Sequence, residues 1–375
     1  MCGASLVAAA PPVFAFHPTG ADWSAIDATV ETAIAARVTP GLQLCVRDRE
    51  NELFSKGYGV ANLETGSPVT RDTVFRIGSV TKEFTAALVL RLSERGLLSL
   101  NDQVGQHLHV PAEVGAVTLA QLIGHVSGLS NYTSAQSAEE YLVNSRMDRT
   151  TAEMVGVVLA TQPLFLSKPG SAWAYSNSNY ILLGAVVEAV TGKPFAEAVR
   201  VELSAPLSLS SLAVDDEDQV VGGRASGYFA KLEATTGFAN APFAAMSYAG
   251  ASGSIRSTAS DLCRWRSALM AGNVLASSSM DFMFAPARLS SPENTDRNAS
   301  PAIDYGAGLY LNPIAGRSAL RGGGSIQGFV ATSDSLLAEQ ITWTILLNVD
   351  GNGTTGLREL MRDLQVHIRS AVLAS

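Results

Sequence analysis

Apolar positions recur along this chain with two different periods, and the switches between them mark its organisation. Residues 22–37, DWSAIDATVETAIAAR, carry Ile26, Val30 and Ile34 on one stripe, the spacing of an amphipathic helix. Pro40-Gly41 stops it. The runs LQLCVRD and LFSKGYGVA then read as strands, and the polar turn Arg49-Glu50-Asn51-Glu52 between them predicts a hairpin. From Ser79 to about Met270 the periodic segments are helical, separated by loops rich in Gly, Ser and Pro. Strand-like runs return after Tyr305 in YGAGLYLN, SIQGFVATS and ITWTILLNV, and the closing stretch places Leu357, Leu360, Leu364 and Ile368 on one helix face. Strands at both ends around a helical middle predict an α/β (α+β) fold. One antiparallel sheet is built from both termini and flanked by helices, with a mainly helical lobe inserted. The sheet lobe takes about 22–70 and 300–375, the helical lobe about 71–299, and the cleft between them is the natural place for a site.

Composition narrows the function classes. The chain has 375 residues, 47% hydrophobic and 16% charged, enough to bury a sizeable core. A formal charge of −8 argues against nucleic acid, because phosphate binding needs a basic face. No tract approaches the length of a membrane span. Cys2, Cys45 and Cys263 lie scattered without C-x-x-C spacing, so they suggest neither a disulfide framework nor a zinc site. His107 and His109 form an H-x-H that could ligate a metal in principle, but a solvated loop accounts for them. No metal or organic cofactor is expected. Residues 1–21 are set apart: Cys2 to Phe16 is apolar and Ala-rich, like the tail of a secretory signal lacking its basic region. A signal remnant implies an exported or periplasmic protein; a greasy arm packed on the body implies a cytoplasmic one. Both readings stand.

Three segments carry candidate chemistry. In FRIGSVTKEFTAALVLRL a strong helix follows Gly78, with Ser79 at its first turn and Lys82 at i+3 on the same face. A serine there makes a good N-cap, but a lysine in the first turn opposes the helix dipole. A nucleophilic serine with a partly desolvated lysine as its base accounts for both. In AWAYSNSNY, Tyr175 would relay a proton between Ser79 and a leaving group, and Asn177 would bind the substrate amide and help fix Lys82; without those roles the segment is a polar turn. In LRGGGSIQGFVATS, three glycines open a strand, which weakens it unless a ligand approaches closely. A substrate laid along Gly322, Gly323 and Gly324 would meet the Ser325 amide, an oxyanion donor beside the Ser79 amide; the structural alternative is a bulge.

The order and spacing of these segments resemble the serine β-lactamase and penicillin-binding-protein superfamily, in its class C-like branch of family VIII carboxylesterases, DD-peptidases and D-aminopeptidases. The resemblance runs over roughly residues 24 to 370. It includes LIGHVSGLSNY at 122–132, PGSAWAYSNSNYILLGAVVEAVTGKPF at 169–195, GSIRSTASDLCRW at 253–265 and YGAGLY at 305–310. It implies the β-lactamase/transpeptidase-like fold with a five-stranded sheet. It also implies Ser79 as nucleophile, Lys82 as its base, Tyr175 as second acid/base, Asn177 as a substrate-binding residue, and no cofactor. Several relatives cleave peptides with D-residues and one acts on linearised microcystin, so the expected substrate is a small peptide or amide. Carboxylesterase is the alternative; a β-lactamase and a binding protein without turnover follow behind. The oligomeric state is left open.

One departure bears on the substrate. The family's third motif begins with Lys or His, and here that position is Gly322. Arg321 is adjacent, but strand alternation points it to the other face. The loss removes a cation that would lower the Tyr175 pKa, leaving Lys82 as the main one, and removes the usual partner of a substrate carboxylate. Weak β-lactam turnover is therefore expected, and Gly322→His is expected to raise activity on carboxylate-bearing substrates.

Overall fold

Strand pairing ties the two ends of the chain together. The computed structural model describes residues 22–231, 233–289, 304–351 and 356–373, and the N-terminal arm of residues 1–21 lies outside them. Helix α1 (Ser24–Ala35) leads into strands β1 (Gly41–Asp48), β2 (Asn51–Asn62) and the two-residue β3 (Ser67–Pro68). The sheet resumes with β4 (Ala319–Ile326), β5 (Phe329–Leu336) and β6 (Ile341–Leu347). The order is β3-β2-β1-β6-β5-β4, with every pair antiparallel. The seam joining the two halves is β1 on β6, with Leu42 opposite Leu347 and Val46 opposite Trp343.

Five long strands are present, as expected, but two of the expected runs change places. YGAGLYLN is no strand: it makes only the isolated bridges Tyr305–Tyr310 and Tyr310–Arg321. Its Gly308, at φ +82°, lies so close to the helix carrying Lys82 that a Cβ would come within 2.5 Å of the Lys82 carbonyl. LRGGGSIQGFVATS is two strands, β4 and β5, joined at Gln327-Gly328. Gly328, second of the two turn residues, has φ +79°, the left-handed value that a type II turn requires there.

Alternation gives the sheet two buried faces. Leu42, Leu44, Val46, Trp343, Ile345 and Leu347 face α1 and the final helix, α5 (Leu357–Leu373). That helix buries Leu357, Leu360, Leu364, Ile368 and Val372, the stripe expected from its sequence extended by one turn. Cys45, Leu320, Ala331 and Leu346 face the other way, into a core shared with the helices between the sheet halves. Three of those helices position the site: α2 (Thr81–Glu94), α3 (Asn177–Thr191) and α4 (Ala259–Met270). Helix α2 is buried almost all round, which explains why its apolar pattern is continuous rather than striped. Cys45 and Cys263, far apart in sequence, meet across β1 and α4 as buried free thiols.

Candidate active site

Ser79 sits in a one-turn 3₁₀ helix, Gly78–Val80, that feeds α2. Gly78 has φ +50°, a conformation that favours glycine, and it turns the chain sharply into the helix. The N-cap position of α2 is Val80, with no side-chain cap, so Ser79 is not spent on capping. Its Oγ instead accepts a 2.8 Å hydrogen bond from the Tyr175 hydroxyl and lies 3.1 Å from Lys82 Nζ.

Lys82 is buried, and no carboxylate faces its amine. Nζ donates to the Ser252 carbonyl at 2.8 Å and lies 4.8 and 5.5 Å from the ring centres of Tyr175 and Tyr180. Burial alone drives its pKa well below the usual lysine value. With one N–H bonded to Ser252, Nζ has Ser79 Oγ as its other hydrogen-bonding neighbour. Burial also pushes the Tyr175 phenol above its ordinary value, against the lowering effect of its bond to Ser79. Lys82 Nζ lies 4.8 Å from its ring centre, yet burial is the larger influence, so the lowering expected from Lys82 does not prevail.

Asn177 opens α3 at the cleft wall. Its Nδ2 donates to Thr133 Oγ1 at 3.0 Å and its backbone N–H to Asn131 Oδ1 at 3.1 Å. The expected hold on Lys82 is absent; the Ser252 carbonyl supplies it.

The third segment brings the Ser325 amide to Ser79. Across the outer edge of β4, Arg321 exchanges both backbone hydrogen bonds with Tyr310 at 2.8 Å. The backbone period of two then turns the N–H and C=O of Gly323 and Ser325 outward along the same edge, where it meets the cleft. A Cβ on Gly324 would stand 2.0 Å from the Ile77 carbonyl oxygen and 2.9 Å from Ser79 N, and one on Gly78 would stand 2.9 Å from Ser325 N. Glycine at both places lets the two amides converge.

Gly322 does not face Ser79. A Cβ there would come within 2.6 Å of Arg266 Nη2 and 3.3 Å of Glu83 Oε2. Arg266 on α4 and Glu83 on α2 are both fully buried and form an ion pair, Nε donating to Oε1 at 3.1 Å, and Nη2 also donates to the Ser333 carbonyl at 3.1 Å. This pair pins the serine-bearing helix to the sheet. Arg321 does point to the other face, where it pairs with Asp334. The expected gain from Gly322→His is therefore reversed. The guanidinium is held by three bonds and cannot swing aside cheaply, so the substitution should destabilise the protein by ~3 kcal/mol or more, the range for a broken buried pair. Urea unfolding measures it; wild-type stability together with faster turnover would show that the pair repacks.

Two residues at the site escaped the sequence reading. His125, in the stretch LIGHVSGLSNY, is buried with its ring 4.5 Å from that of Tyr175. Its Nδ1 accepts from the Ser176 N–H at 3.2 Å and lies 3.1 Å from Asn179 Nδ2, which places the ring proton on Nε2. Ser252 acts through its carbonyl. His107, by contrast, lies away from this group, with Nε2 3.0 Å from an Asp102 oxygen.

A family model described as Beta-lactamase matches residues 26–367. Penicillin-binding protein 4* of Bacillus subtilis is 25% identical over 283 residues, 72% of this chain and 60% of the relative, so the chain spans less than two thirds of that protein's length. Among solved structures, a D-stereospecific amidohydrolase from Streptomyces sp. superposes with TM-score 0.73 at 25% identity, covering 94% of this chain and 99% of that one. An octameric penicillin-binding protein homologue from Pyrococcus abyssi superposes with TM-score 0.79 at 22% identity, covering 94% and 78%.

Proposed function

The chain belongs to the beta-lactamase family, and we propose that it is a serine hydrolase that opens amide bonds of small peptides, linear or containing D-residues, through an acyl-enzyme on Ser79. The observation that carries this reading is the approach of Lys82 and Tyr175 to one serine oxygen beside an open strand edge. Ser79 Oγ bonds to the carbonyl carbon as its proton passes to Lys82, and the oxyanion sits between the Ser79 and Ser325 amides. As the C–N bond breaks, Tyr175 gives its phenolic proton to the leaving nitrogen and regains one from the Lys82 ammonium. Water then attacks the ester, loses a proton to the same pair, and Ser79 leaves protonated.

An amine must be protonated to depart, whereas p-nitrophenolate leaves unaided, which is why the Tyr175 position favours amides over esters. The name of the Streptomyces neighbour supports the D-residue part of the reading. Tyr175→Phe should slow anilide hydrolysis by about 10²-fold or more and p-nitrophenyl ester hydrolysis far less. Equal losses on both would remove Tyr175 from the leaving-group step. The reading itself is tested by D-aminoacyl and peptidyl p-nitroanilides against p-nitrophenyl butyrate and nitrocefin, with a fluorophosphonate probe on Ser79. Peptide-anilide cleavage and only slow nitrocefin turnover are expected. Cleavage of the butyrate alone would make the protein a carboxylesterase; no labelling would make it a binding protein.

A further inference from the structure

Ser79 and Ser325 line a cleft open to solvent, and no Asp, Glu, Lys or Arg lines it. Its walls combine the rings of Tyr132, Tyr141 and Tyr248, Met246 and Ile326 with the uncharged polar side chains of Thr133, Ser145 and Asn177. Tyr132 and Tyr248 pack edge to face at 5.3 Å, and their hydroxyls are committed elsewhere: Tyr132 donates to the Tyr248 carbonyl, and Tyr248 accepts from Gln136. What they present is apolar. Charges stand behind the wall and are paired there: Arg76 with Glu217, while Arg149 lies on the Tyr248 ring and donates to the Asn144 carbonyl.

One polar group in this cleft lacks a well-formed partner. Gln327, on the β4–β5 turn, is 7% exposed, and its buried Nε2 makes no hydrogen bond of full geometry, having only a loose contact with the Tyr141 phenol. A buried, unsatisfied donor is destabilising unless something supplies an acceptor. Gln327 follows the oxyanion residue Ser325 by two positions, which at ~3.3 Å per residue is the reach of one or two residues of extended substrate beyond the scissile carbonyl.

Resting on the acyl-enzyme reading of Ser79, we propose that Gln327 is a specificity-determining residue, its Nε2 donating to the carbonyl that precedes the residue whose carbonyl Ser79 attacks. The substrate is then a neutral, N-acylated one, a peptide interior or an N-blocked amino-acid amide with an apolar or aromatic side chain. A free α-ammonium or carboxylate placed here would lose its water and meet no counter-charge. A free amino-acid amide also has no acceptor for Nε2.

The test compares N-acetyl-D-phenylalanine p-nitroanilide with D-phenylalanine p-nitroanilide, and the L pair, on wild type and Gln327→Leu. The wild type should favour the acetylated member by about tenfold or more in kcat/KM, the scale of one well-made hydrogen bond plus ion desolvation. Gln327→Leu should shrink that ratio to within about threefold, chiefly by slowing the acetylated substrate, while Ser79 still reacts with the fluorophosphonate. Its Tm should hold or rise, because an unsatisfied donor has been removed. A wild type that labels at Ser79 yet prefers the free amine overturns the proposal and leaves the nucleophile standing. So does a Gln327→Leu that loses Tm and slows both substrates alike, the mark of a structural residue. A protein inert to the probe sinks the hydrolase reading instead. Calorimetry with N-acetylphenylalanine amide against phenylalanine amide then decides Gln327 by the same ratio.

Discussion

Ser79→Ala and Lys82→Met should each lower kcat/KM by about 10⁴-fold or more, and the double variant should be scarcely worse than either, because nucleophile and base act as a unit. The geometry makes the coupling strict. Lys82 Nζ has the Ser79 Oγ on one side and the Ser252 carbonyl on the other, so the amine has one proton to collect. The two variants should part company in stability. Lys82 is buried with its pKa held well below the usual 10.5. Between its depressed folded value and 10.5 the unfolded chain carries a proton that the folded one lacks. There the unfolded state binds more protons, stability rises with pH, and the buried lysine is a liability that grows as pH falls. Lys82→Met should therefore raise Tm, most at neutral pH and least near pH 10, while Ser79→Ala leaves Tm nearly unchanged. Progress curves, fluorophosphonate labelling and melts across pH measure the set. A Lys82→Met protein that melts lower at every pH would mean that the amine is charged in the fold and paired in some other way. Multiplying losses in the double variant would break the unit.

What could be read from the sequence was what is local. Ser79 and Lys82 are one helical turn apart, so a single periodic stretch places them. The termini share a sheet because period-two runs occur only at the two ends, and the stripe of α5 is its own evidence. Tyr175 and Asn177 needed the family's order of segments, since a Tyr-Ser-Asn in a polar loop has no periodicity to locate it. What escaped was made by tertiary contact. Ser252 contributes a backbone carbonyl, which any residue type would supply. Glu83 and Arg266 meet across 183 positions, and nothing in either neighbourhood announces the other. Gly322 reads from the sequence as a departure from the family pattern, but the direction of its missing side chain depends on how β4 sits over that ion pair. The Gln327-Gly328 hairpin lay hidden because apolar residues continue on both sides of it and Gln-Gly is not one of the dipeptides that mark a two-residue hairpin.

Gly324→Ala carries the second large effect, with one methyl group and no change in any reacting side chain. The added Cβ would stand 2.0 Å from the Ile77 carbonyl oxygen and 2.9 Å from Ser79 N. Both obstacles are backbone, and Ile77 N is itself bonded to the Ile255 carbonyl at 3.0 Å, so neither can step aside as a side chain can. Strand β4 must move instead, and it is free to, because it is the edge strand and its outer side is bonded at Arg321 but open at Ser325. The movement separates the Ser325 amide from the Ser79 amide. Losing one oxyanion donor typically lowers kcat by about 10²–10³-fold, and that is the expected loss here, with KM rising as well because Ile326 and Gln327 of the cleft move with the strand. Phosphonylation of Ser79 also puts an oxygen into that site, so labelling by the fluorophosphonate should slow in parallel, while Lys82 and Tyr175 stay in place. Full-speed labelling with slow amide turnover would show that the strand edge binds substrate without stabilising the oxyanion. An unchanged kcat would mean that the second donor comes from somewhere other than Ser325.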